Sequence, residues 1–126
     1  VKEGKDVTIG VIGSQLTNAM TAAADLNKLN ISAEILYFHT IKPFDSKAMR
    51  QSLEKTKRLV TVEELSAHDG LFNLCLKSSI GVNDIKVEQL AIKDFLHGYG
   101  SYEDLCEKAG LTSDNIRKAA LRIIDK

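Results

Sequence analysis

The chain has one proline, two cysteines and no net charge, and each shortage excludes something. Seventeen basic residues balance seventeen acidic ones, so no net field draws the protein to nucleic acid or to an anionic membrane surface. Cys75 and Cys106 lie far apart in helix-like patterns, without the close spacing that zinc or redox motifs require. They are read as buried thiols of a reduced compartment. No apolar run approaches the ~20 residues of a membrane span, and no basic-then-apolar leader opens the chain. A cytoplasmic location is the resulting expectation. Internal repeats and low-complexity tracts are also missing. The lone Pro43 keeps Lys42 out of helical geometry, so the segment before it is expected to be an extended connector.

What is present points to one soluble globular domain over residues 1–126. Hydrophobic residues make up 44% and charged residues 27%, the balance of an ordinary packed domain. A chain of this size buries about two thirds of its unfolded surface and needs neither disulfide nor metal to hold together.

The most informative stretch runs Arg58-Leu59-Val60-Thr61-Val62-Glu63-Glu64 and continues through a short polar turn to Gly70-Leu71. A β-branched run that ends in two carboxylates reads as a buried strand delivering charge to its carboxyl end, where open α/β sheets place ligands or partner surfaces. Before it, residues 6–12 form a near-continuous apolar strand covered on both faces, stopping at Gly13-Ser14. Ser14 caps a helix over residues 15–29, with Leu16, Ala19, Ala23 and Leu26 along one side. Residues 33–39 make a second strand, and Asp45 or Ser46 caps a helix reaching about Lys55. After the central strand a helix is expected from Gly70 to about Ile80, with Leu71, Leu74, Cys75 and Ser78 on one side, and then a fourth strand over residues 86–92. Ser101, with Asp104 three residues on, marks another helix start, and Gly110 sits where a left-handed cap belongs. Thr112 or Ser113 opens a last helix whose Ile116, Ala119, Ala120, Ile123 and Ile124 form an apolar stripe. Four alternations of strand and helix predict a three-layer α/β/α sandwich with a mainly parallel sheet of four to five strands.

The candidate anion or interface positions are Gly13, Ser14, Glu63, Glu64, His68, His97 and Ser101. Gly10 and Gly13 lack the third glycine of the dinucleotide fingerprint, and no Gly-Lys-Ser/Thr follows. The free amides at the helix start beside Gly13 and Ser14 suit an anion, or simply a capped helix. Glu64 and His68 are four apart, which on a helix would place two metal ligands on one face, but a third ligand is missing and the segment reads as a turn. Glu63 and Glu64 could act as an acid and base pair. Adjacent residues leaving a strand point to opposite faces, which favours separate hydrogen bonds at an interface. His39 and His97 lie near strand ends without a nucleophile beside them, and both read as satisfied polar residues, with His97 able to reach a partner's site. No residue is assigned a catalytic, cofactor-binding or metal-binding role.

Several motifs in register carry a resemblance. Asp6-Val7-Thr8-Ile9 leading to Gly13-Ser14, Thr40-Ile41-Lys42-Pro43-Phe44-Asp45, and Leu59-Val60-Thr61-Val62-Glu63-Glu64 with Gly70-Leu71 come first. Ile92-Lys93-Asp94, Gly100-Ser101-Tyr102-Glu103-Asp104-Leu105 and Gly110-Leu111 complete the set. Together they resemble the C-terminal domain of transketolases over nearly the whole chain. The resemblance implies an enzyme that moves two-carbon ketol units between sugar phosphates, as in the pentose phosphate pathway, using thiamine diphosphate and Mg²⁺. It implies that the cofactor sits between the two preceding domains of a homodimer, while this domain supplies packing, dimer contacts and a possible point of regulation. No Gly-Asp-Gly with a following Asn stands here to bind the metal and diphosphate, so the domain alone is expected to be inactive.

The resemblance also implies an antiparallel edge strand just upstream of residue 1, so the chain reads as part of a longer one. Relatives often carry His where Leu65 stands and Gly where Asp69 stands, and Leu96-His97-Gly98-Tyr99 replaces an expected Phe-Gly. These departures leave open deoxyxylulose-phosphate synthase and the β subunits of 2-oxo acid dehydrogenases, although Thr40-Ile41-Lys42-Pro43 and Gly100-Ser101-Tyr102-Glu103 favour transketolase. The competing reading is a free-standing module that binds a nucleotide or small anion beside Gly13-Ser14, with Glu63 across the crevice. Two carboxylates there would repel phosphate. The transketolase reading further predicts an apolar docking patch and association into dimers or larger species.

Overall fold

A computed structural model describes residues 3–12, 16–38, 46–63, 71–91 and 113–124. Within them, strands β1 (Val7–Ile12), β2 (Ala33–Phe38), β3 (Arg58–Glu63) and β4 (Lys86–Ala91) alternate with helices α1 (Leu16–Lys28), α2 (Ser46–Thr56) and α3 (Leu71–Ser78). Helix α4 (Ser113–Ile124) follows β4 later in the chain. The strands form one sheet in the order β2-β1-β3-β4, and every pairing is parallel. The expected α/β class and mainly parallel sheet are therefore found.

The step from β1 to β2 runs one way across the sheet, and the steps from β2 to β3 and from β3 to β4 run the other way. Parallel crossovers keep one hand, so reversing direction puts the connecting helices on opposite faces. Packing agrees. Val7, Ile9 and Val11 of β1, with Val60 and Val62 of β3, pack against Ala19, Ala22, Ala23 and Leu26 of α1 and Ile116, Ala119, Ala120 and Ile123 of α4. On the other face, Leu59, Phe38 and Cys75 pack with Met49 and Leu53 of α2. The strands of the middle read as apolar runs because both their faces are covered. β4 stands at an edge of the described sheet, and its residues 86–90 are all half-buried.

Element ends follow local chemistry. The strand expected from Asp6 begins at Val7, because the Asp6 carboxylate accepts a hydrogen bond from the Ser32 N–H at 2.7 Å while the Asp6 N–H donates to Ser32 O at 2.8 Å. α1 stops at Lys28 rather than Leu29, and Asn30 takes a φ of 63°. α2 runs to Thr56 and Lys57 takes a φ of 62°. These left-handed residues let the last carbonyls of each helix find backbone donors, as with Lys57 N–H to Leu53 O at 2.9 Å. Gly4 in the lead-in is held against β2, and a Cβ there would lie 2.3 Å from Ala33 C. The Pro43 connector, the helix expected from Ser101 and the Gly110 cap fall outside the described residues. Among the described residues no helix is long and apolar enough to cross a membrane.

Candidate functional site

In the order β2-β1-β3-β4 the direction of winding reverses between β1 and β3. The carboxyl ends of those two strands are where a doubly wound sheet opens a crevice. Val11 of β1 pairs with Val62 of β3. β1 therefore ends at Ile12 at the same level at which β3 ends in Glu63, itself paired with Ala91 of β4. Register alone brings the end of β1 at Ile12 and the end of β3 at Glu63 to one edge of the sheet. Gly13, Ser14, Glu64, His68, His97 and Ser101 lie outside the described residues, as does His39, and of Glu63 only the strand position is described.

Polar side chains on the sheet face under α2 and α3 differ between its two ends. Near the amino ends, Thr8 of β1 lies in register with Glu34 of β2. Thr8 Oγ1 shares hydrogen bonds of 2.6 Å with both Ser52 Oγ and Thr56 Oγ1 of α2. Glu34 is 6% exposed, accepts a hydrogen bond from the Gly4 N–H at 3.3 Å and is ion-paired to Lys55. Burial pushes the Glu34 carboxyl up, but hydrogen bonds from Lys55, Ser52 and Gly4 outweigh it and hold the group below its ordinary value. An ionised carboxylate only accepts, so Lys55, Ser52 and the Gly4 N–H donate to Glu34. This network fixes α2 and the lead-in onto β1 and β2.

Two positions further along, the polar groups are unpaired. Thr61 of β3 lies between Gly10 of β1 and Gln89 of β4 in register. Thr61 is fully buried, and among the described residues neither its Oγ1 nor Gln89 Nε2 has a hydrogen-bond partner. A buried polar atom without a partner carries a desolvation cost of about 1–3 kcal/mol. The cost falls on the carboxyl half of the sheet, one pleat before Glu63. Sequence reasoning passed over Thr61 and Gln89, and equally over Glu34. The only available signal was a polar side chain inside a strand whose neighbours are apolar.

Two surface hollows flank α2. One of about 460 Å³ opens over the Glu34 and Lys55 pair, lined also by Glu3, Leu36, Ala48, Gln51 and Ser52. The other, of about 580 Å³, lies between α2 and α3. Among the described residues no three His, Cys, Asp or Glu side chains converge. These residues do not fit a Mg²⁺ site, and no chemical step is assigned through a metal or a diphosphate here.

Comparison with known proteins places this geometry. The family model described as "Transketolase, C-terminal domain" matches residues 1–116. The chain is 35% identical to a 6-deoxy-6-sulfo-D-fructose transketolase subunit of Clostridium sp. strain MSTE9, covering 100% of this chain and 39% of that protein. It is 36% identical to the mitochondrial pyruvate dehydrogenase E1 component subunit beta of Dictyostelium discoideum, covering 99% of this chain and 36% of the relative. Among solved structures, one described as a split gene transketolase, an inactive beta4 tetramer, superposes with a TM-score of 0.88 at 31% identity. That match covers 98% of this chain and 41% of the solved one. The chain thus spans well under half the length of these relatives.

Proposed function

The chain belongs to the transketolase C-terminal domain family, and we propose that it is the auxiliary domain of a transketolase that transfers two-carbon ketol units between sugar phosphates. In this reading the domain packs against the rest of the enzyme and contributes to contacts between two subunits of a homodimer. Thiamine diphosphate and Mg²⁺ act in other domains. The observation that carries the reading is extent: the Clostridium transketolase subunit and the split gene transketolase chain cover 100% and 98% of this chain, yet it accounts for only 39% of the first and 41% of the second. The sequence adds support, because it lacks a Gly-Asp-Gly segment with a following Asn. Thr40-Ile41-Lys42-Pro43 and Gly100-Ser101-Tyr102-Glu103 favour the transketolase branch over the dehydrogenase and synthase branches.

A thermal-shift panel tests the reading. The chain is heated with thiamine diphosphate plus Mg²⁺, with common nucleotides and with sugar phosphates. A ligand that binds only the folded state stabilises it by about 2.7 kcal/mol at a hundred times its dissociation constant, a shift of several degrees for a domain of this size. The expected result is a flat panel. Stabilisation by thiamine diphosphate would move the cofactor site into this chain and overturn the auxiliary role.

A further inference from the structure

The groove between α2 and α3 is lined by Ser46, Lys47 and Arg50 of α2 and by Leu74, Lys77 and Ser78 of α3. Its charge is one-sided. The two helices carry Lys47, Arg50, Lys55 and Lys77 against the single carboxylate Glu54, although the whole chain is neutral. Lys55 is directed to Glu34, and Arg50 is ion-paired with Glu54 at 3.0 Å. Arg50 also donates hydrogen bonds to the carbonyls of Ser78 and Ile80, closing the end of α3. Lys47 and Lys77 have no ion-pair partner among the described residues. The cations of α4 are balanced differently: Arg117 and Lys118 pair with Asp114, and Arg122 with Glu88 of β4.

An exposed apolar residue has its backbone tied to this cationic rim. Ile80 is 72% exposed, and its carbonyl is held by the same Arg50 that lines the groove. Gly81, at a φ of 90°, lies directly under the Arg50 guanidinium, so that a Cβ there would come within 3.2 Å of it. The Arg50 guanidinium thus ties the backbone at Ile80 to α2. Leu74 supplies an apolar wall inside the groove.

We propose that the α2–α3 groove docks an acidic segment of a protein partner, with carboxylates set against Lys47 and Lys77 and an apolar side chain seated against Leu74. Charge complementarity selects this occupant: lysines without internal partners keep their charge available to one from outside, and such pairs steer association and fix register. The proposal rests on the groove alone and does not depend on the ketol-transfer reading.

Selection of random peptides displayed on phage against the protein tests it. Enriched sequences should be acidic with an apolar anchor, and ¹⁵N amide shifts on adding an enriched peptide should cluster on α2 and α3. The double variant Lys47→Glu with Lys77→Glu should bind such a peptide at least about tenfold more weakly, since like charges face each other across the contact. Lys47→Arg with Lys77→Arg should retain binding. Both lysines are exposed, and unchanged thermal unfolding of the variants separates lost docking from lost fold. Added salt should weaken the wild-type complex. Enrichment without an acidic bias, shifts mapped elsewhere, or binding indifferent to the charge reversal would each overturn the proposal. So would lysine-dependent sedimentation with phosphatidylserine vesicles in place of peptide binding.

Discussion

Thr61 and Glu34 are both polar residues inside strands, and the structure gives them opposite energetics. The Thr61 hydroxyl is buried without a partner among the described residues, so Thr61→Val, which keeps the shape and removes the unpaired group, should raise stability by about 1 kcal/mol. Urea unfolding of the two proteins decides it, and a loss of stability would show that the hydroxyl is bonded in solution. Glu34 has three donors, and Glu34→Gln should cost about 1–2 kcal/mol at neutral pH because hydrogen bonds to a charged acceptor are replaced by weaker ones. Its pH dependence has a definite sign. The folded-state carboxyl titrates below its ordinary value, so the contribution is complete above the unfolded pKa and is lost as pH falls through the folded pKa. The variant should therefore lose less stability than the wild type between neutral and acid pH, and equal losses would show that Glu34 is not the group responsible.

At the level of elements, helix pattern was the most legible property of the sequence. The stripe of Ile116, Ala119, Ala120 and Ile123 read from spacing is buried in α4. Less legible was why its middle is alanine. Ala22 and Ala23 of α1, with Ala119 and Ala120 of α4, belong to one packed cluster over β1 and β3, and small side chains there let two helices share one face of a four-stranded sheet. Ala120→Leu should destabilise the fold by about 1–3 kcal/mol through overpacking, whereas the same change at the exposed Ala24 should be close to neutral. Similar unfolding midpoints for the two variants would refute a tight α1–α4 seam. Element ends were harder to read. Asn30 and Lys57 adopt left-handed geometry through hydrogen bonds to carbonyls of the preceding helix, and nothing in the identity of lysine announces such a turn.

At the scale of the whole molecule, the auxiliary role carries an expectation of self-association. The large exposed apolar side chains among the described residues are Met20, Leu29 and Ile80. Sedimentation velocity across a wide concentration range should reveal dimers or larger species, and a strictly monomeric chain throughout would count against a subunit-contact role. The candidate crevice shows how far sequence reading reached. That Ile12 and Glu63 end neighbouring strands required the sheet order and the Val11 to Val62 register, both of which are long-range facts.

The sequence by itself determined the alternation of strand and helix, the buried faces and the family, because hydrophobic period and motif order are local and survive in one dimension. Only the tertiary structure decided that β1 lies between β2 and β3 and that Thr8 meets Ser52 and Thr56. The tertiary structure also decided that Thr61 and Gln89 share a row without hydrogen-bond partners among the described residues and that Lys47, Arg50 and Lys77 line one groove. Those outcomes depend on which distant residues the parallel crossovers bring within bonding distance, and neither spacing nor composition encodes that separation.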